Sequence, residues 1–154
     1  MSPLSLEEIS SRLLIAVLFG GFIGINRDLH GKPAGLRTHA LVALGAALVV
    51  LATGQLAGGE RRADVVSRVA QGVLTGIGFL GGGVILRDPG EGHVRGLTTA
   101  AAIWVTALVG VASGAGAFRE VCVGFVLTIL VLFLGGPIER VVRRAFRQSP
   151  ADGE

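Results

Sequence analysis

The chain has 154 residues, 51% of them hydrophobic and 16% charged, with a mean hydropathy of +0.68 and a formal net charge of +3. Soluble domains carry about a quarter charged residues spread along the chain, whereas here the charges are bunched between long apolar runs, which excludes a soluble helical bundle. The length fits one domain. Five runs approach or meet the roughly 20 apolar residues that a membrane-crossing helix needs: Ile9–Ile25, Thr38–Ala57, Val65–Leu86, Leu97–Gly114 and Phe118–Ile138. The expected fold is therefore an all-α integral membrane protein with five transmembrane helices. Residues 1–138 form its membrane domain and residues 139–154 a basic cytoplasmic tail, disordered at its end.

The first run opens on Ser5 and Glu8, spaced as in a capping box. It is not read as a secretion signal, because Glu7 and Glu8 stand where such a signal carries basic residues. The segment is expected to stay attached. Arg12, Arg68 and Arg119 lie near run ends, where a long side chain can snorkel to the headgroups. After the first run the chain reads Asn26-Arg27-Asp28, a polar loop, then Gly35-Leu36-Arg37-Thr38-His39. After the third run it reads Arg87-Asp88, a polar loop, then Arg95-Gly96-Leu97-Thr98-Thr99. An offset of about 60 residues is too long for a solenoid unit and suits a pair of membrane helices. Helices one and two are thus expected to repeat as helices three and four, in parallel, about an axis along the membrane normal.

Basic residues set the orientation. The two Arg-Asp loops and the tail hold nine of the fourteen: Arg27, Lys32, Arg37, Arg87, Arg95, Arg140, Arg143, Arg144 and Arg147. That side is read as cytoplasm, with the N-terminus outside. A basic chain needs no nucleic acid under this reading, because such loops meet anionic lipid. Each Gly-Leu-x-Thr opens a helix whose free N–H groups and partial positive charge attract anions. Arg27, Asp28, Arg37, Thr38, His39, Arg87, Asp88, Arg95, Thr98 and Thr99 are therefore the candidate ligand- or partner-binding residues. The bland alternative is that the threonines cap helices and the Arg-Asp pairs are solvated loop contacts.

Gly76-Ile77-Gly78-Phe79-Leu80-Gly81 spells the dinucleotide fingerprint, but it lies inside a membrane-length run, and Ala100-Ala101-Ala102 stands where the acid should be. Gly20/Gly24, Gly72/Gly76 and Gly78/Gly82 instead read as small-xxx-small pairs that let helices touch. Gly81-Gly82-Gly83 could break the third helix. Cys122 alone makes no disulfide or zinc site. His30, His39 and His93 match no metal spacing and are read as surface or capping residues. No Asp or Glu lies deep in any run. No catalytic pair, cofactor site or metal site is expected.

The blocks Lys32–Val42, Gly76–Ile85 and Val94–Ala101 with Trp104, together with Arg68 and Gln71, resemble the MgtC/SapB family of bacterial membrane proteins. The resemblance spans Gly24 to about Gly114. It implies a five-helix inner-membrane domain. It also implies links to growth in low magnesium, to survival of pathogens inside host cells and to restraint of the membrane ATP synthase. Members usually carry Glu-Arg-Glu where this chain has Asn26-Arg27-Asp28, so a role for a carboxylate at position 26 is not carried over. Some have Asn where this chain has Thr98, which keeps a hydrogen-bonding group there. Many continue into a soluble regulatory domain, while this sequence ends at Glu154 and is expected to be a short form. The expected function is a non-enzymatic regulator of a membrane complex, such as ATP synthase. The alternative is a small transporter or channel for magnesium or an anionic solute. Expected partners are the bilayer, that complex and a second copy, with no nucleic acid.

Overall fold

Ser5 starts the first helix as expected: its Oγ accepts from the Glu8 N–H at 3.2 Å. The Glu8 carboxylate does not close the box; it pairs one turn on with Arg12. The computed structural model describes residues 4–57, 62–87 and 94–147. They form α1 (Leu6–Leu29), α2 (Leu36–Leu56), α3 (Arg62–Gly83), α4 (Leu97–Ala115) and α5 (Phe118–Arg147). A two-residue antiparallel ladder, β1 (Leu86–Arg87) with β2 (Val94–Arg95), precedes α4. All five helices are long and apolar enough to cross a membrane. The shortest of them, α4 with 19 residues, is about 28 Å long at 1.5 Å per residue, close to the thickness of the hydrocarbon core.

The centre is a three-helix unit in which α2 lies against both α1 and α4. Small residues make this possible. A Cβ at Gly20 would fall 2.8 Å from the His39 carbonyl oxygen, and one at Gly24 would fall 2.6 Å from Leu36 Cα. On the other side of α2, a Cβ at Gly110 would lie 2.3 Å from Ala43 O, and one at Gly114 would lie 2.4 Å from Ala47 O. Ala16, Ala43 and Ala47 are fully buried between these backbones. A second cluster of Ile23, Ala102, Val109 and Val121 joins α1, α4 and α5, and Phe19 stacks on Phe125 with ring centroids 4.4 Å apart. α3 packs on α2 and α4 from outside the unit.

Four expectations need correction. The Gly20/Gly24 pair does bring backbones together, but a Cβ at Gly72, Gly76, Gly78 or Gly82 would meet nothing within 4 Å among the described residues. Spacing identifies a pair that can pack, not the direction it faces. Gly81-Gly82-Gly83 ends α3 rather than breaking it, in turns closed by Val84 N–H to Gly81 O at 3.3 Å and Ile85 N–H to Gly82 O at 3.1 Å. Asn26, Arg27 and Asp28 belong to the last turn of α1, not to a loop. Arg12 does not snorkel. It is 8% exposed, and its Nη1 donates to Gly114 O at 3.0 Å, at the carbonyl end of α4. Gly116 (φ +85°) leaves the space, since a Cβ there would lie 2.9 Å from the Arg12 guanidinium carbon. A cation at a helix C-terminus is stabilising by up to about 2 kcal/mol in partly buried geometry.

Candidate functional site

Four buried side-chain polar atoms lack a hydrogen-bond partner among the described residues: Arg12 Nε at one end of the unit, and Asn26 Nδ2, Arg27 Nε and His39 Nε2 at the other. Such a group costs about 1–3 kcal/mol when left unsatisfied. Three at one end, where α1 finishes and α2 and α4 begin, mark that end as the unusual part of the molecule. It is also the end that the repeated Gly-Leu-x-Thr segments bring together.

Arg27 is 4% exposed, and its Nη2 donates to the buried Thr99 Oγ1 at 2.9 Å. That bond ties the end of α1 to the start of α4. No salt bridge joins Arg27 to a carboxylate among the described residues. Asp28 points elsewhere: its Oδ2 accepts from the Leu36 N–H at 2.8 Å and so caps α2, whose N-cap residue Gly35 has no side chain to do so. A Cβ at Gly35 would fall 1.6 Å from Asp28 Oδ1. The glycine of the first Gly-Leu-x-Thr is therefore the seat of a carboxylate.

His39 is fully buried, contrary to the expectation of a surface or capping residue. Its Nδ1 donates to Gly35 O at 3.0 Å, which leaves Nε2 as an acceptor in the neutral ring. His30 does sit at the helix end, with its ring nitrogen 2.7 Å from Asn26 O. Arg37 and Thr98 are exposed and Thr38 is half-buried around this centre. In the second copy, Gly96 is also the residue before its helix, but for a different reason. It is left-handed at φ +92°, and a Cβ would fall 2.0 Å from Val84 O. α3 ends at Gly83, so Arg87 lies on β1 rather than in a last helical turn. Arg95 is on β2 and exposed, while Asp88 and His93 lie outside the described residues. Sequence reasoning thus named Arg27, Asp28, His39 and Thr99 but missed Asn26 and Arg12, since charge and spacing do not tell which polar residues turn inward. Among the described residues, no group of three or more His, Cys, Asp or Glu side chains could hold a metal.

Five membrane-length helices, with a polar centre where α1 meets α2 and α4, define a small multi-pass membrane protein. The chain belongs to the MgtC family, whose sequence model matches residues 13–141. It is 46% identical over 132 residues to the protein SrpB of Synechococcus elongatus, covering 80% of this chain and 72% of that protein. It is 42% identical over 130 residues to YhiD of Escherichia coli, a candidate magnesium transporter by its name, covering 81% of this chain and 59% of YhiD. It is 43% identical over 128 residues to the protein MgtC of Brucella abortus, covering 82% of this chain and 51% of that protein. The matched segment is thus only part of each relative. No solved structure matches the chain.

Proposed function

We propose that this protein is a non-enzymatic regulator that docks on another inner-membrane complex, with the end built around Arg27 and Thr99 as its recognition surface. The observation that carries this reading is the sealing of the α1–α2–α4 unit. Backbone meets backbone at Gly20, Gly24, Gly110 and Gly114, so the unit offers a partner its outer surfaces and a solute no conduit. Buried Arg27 ties the end of α1 to the start of α4, and exposed Arg37 and Thr98 flank it as contact groups. Equal placement of Gly35 and Gly96 before α2 and α4 supports reading the two halves as a parallel repeat. Nine basic residues on this side support a cytoplasmic location. A cysteine at position 30, in a chain lacking Cys122, should react with an impermeant thiol reagent only from the cytoplasmic side. Reaction from the periplasm would reverse the topology.

The docking test is co-purification from native membranes. The wild-type chain should bring down a stoichiometric membrane complex, with ATP synthase the first to examine, and a variant lacking the Arg27 cation should not. Equal recovery with both would refute the assigned surface. A second reading, transport of magnesium or an anionic solute, draws on the name of the Escherichia coli relative. Its path would have to run outside the sealed unit.

A further inference from the structure

The outer face of α3 is built the wrong way round for a helix surrounded by lipid. At 3.6 residues per turn, Asp64, Arg68, Gln71, Thr75, Gly78 and Gly82 fall on one face, and all six are exposed. The opposite face, with Val66, Val69, Val73 and Ile77, is partly buried against the rest of the bundle, and Gly81 meets Ala100. From Asp64 to Thr75 the polar side chains cover about 17 Å of the helix, roughly half the hydrocarbon thickness, and Gly78 and Gly82 continue the face for about 10 Å more. Polar and ionisable groups in a span face a protein interior or a water-filled cavity, not lipid. Asp64 lies close enough to the start of α3 to reach the headgroups. Gln71 is about 14 Å along the helix, near mid-membrane, and its side chain is too short to escape.

We infer that a second copy of this chain covers the face, pairing α3 with α3 in parallel about a two-fold axis along the membrane normal. The face is complementary to itself. Asp64 and Arg68 stand one turn apart, so each can meet the opposite charge on the other copy across the axis. The Gln71 amide offers both a donor and an acceptor at one height and can pair with its own equivalent. Thr75 Oγ1 gives its hydrogen to Gln71 O at 2.8 Å and keeps a lone pair for a donor from the other copy. Gly78 and Gly82, with open space over both, let the two backbones approach. An unrelated partner would need to match a charged pair, an amide and two glycines in register; a second copy does so by symmetry. The inference is independent of whether the protein regulates or transports.

The test uses the purified full chain in liposomes at high lipid excess, in a Cys122→Ser background. Cysteines are placed singly at Gln71 and Gly78 on the face, at Ile77 on the bundle side and at Val131 on the exposed side of α5. Under mild oxidation, the first two should form disulfide-linked dimers at roughly ten-fold or more the yield of the last two. Adding Arg68→Asp to the Gln71→Cys chain should lower that yield several-fold, and adding Asp64→Arg as well should restore it. Cross-linking at Gln71 and Gly78 no greater than at Val131 would overturn the inference. So would an unchanged yield in the Arg68→Asp chain.

Discussion

Gly110→Leu should leave almost no folded protein in the membrane, while Gly76→Leu accumulates like the parent. Even the first carbon of a side chain at Gly110 would sit 2.3 Å from Ala43 O and 2.9 Å from Ala43 Cα, and backbone cannot swing aside as a flexible side chain can. Relief requires α4 to withdraw from α2, which also opens the Gly114 contact one turn along. Overpacking of a dense core costs about 1–3 kcal/mol and sometimes more. The better helix propensity of alanine offsets only about 1 kcal/mol, so Gly110→Ala should already be less stable and Gly110→Leu should not assemble. Gly76 has open space around it, so the chain itself offers no obstacle there. Fluorescence-detected size exclusion of the two variants, expressed in parallel, checks the contrast. A monodisperse Gly110→Leu protein at parental yield would mean that α2 and α4 do not touch as described.

Arg27→Met should have the opposite profile, with protein level and thermal stability kept or raised and function lost. A buried guanidinium held by one neutral hydroxyl, with Nε unsatisfied, is a poor way to gain stability. Replacing buried charge by an apolar side chain of similar volume is often neutral or stabilising, by about 1–4 kcal/mol. Thr99, in the first turn of α4, is left with an unused hydroxyl, which offsets that gain by about 1 kcal/mol. If the cation serves recognition, the variant loses co-purification with its partner and fails to support growth at low magnesium in a host dependent on it. Thermal unfolding of the purified variant in detergent, beside that complementation, separates the two roles. A variant that unfolds at lower temperature and falls in abundance would make Arg27 a structural residue.

The five spans were legible because transfer into lipid demands continuous apolar residues, and hydropathy records that demand directly. Their ends were less so. α1 runs four residues past Ile25 and α5 continues through the basic segment to Arg147, because helical hydrogen bonding does not stop where lipid does. A pair between Arg143 and Glu139 at 2.8 Å lies on that extension. The Gly110-x-x-x-Gly114 spacing was present in the sequence and is the tightest packing pair, yet Gly72/Gly76 and Gly78/Gly82 carried the same signal and face outward. Small-residue spacing is blind to rotation about the helix axis. The Arg27–Thr99 contact joins residues 72 apart in sequence, so only packing could pair them, although both were marked by the repeat. Asn26 and Arg12 were not legible as buried groups because a polar residue near the end of a span is usually solvated.

If the protein works by contact, as proposed, it moves no solute through its sealed helical unit. The direct measurement is solute entry into liposomes containing this protein alone, with a magnesium-sensitive dye inside and labelled phosphate tested separately. Entry should be indistinguishable from protein-free liposomes for both, with the reconstituted chain verified as folded. Saturable, protein-dependent entry of either solute, abolished by Arg27→Met, would contradict it and make the Arg27 centre part of a transport path.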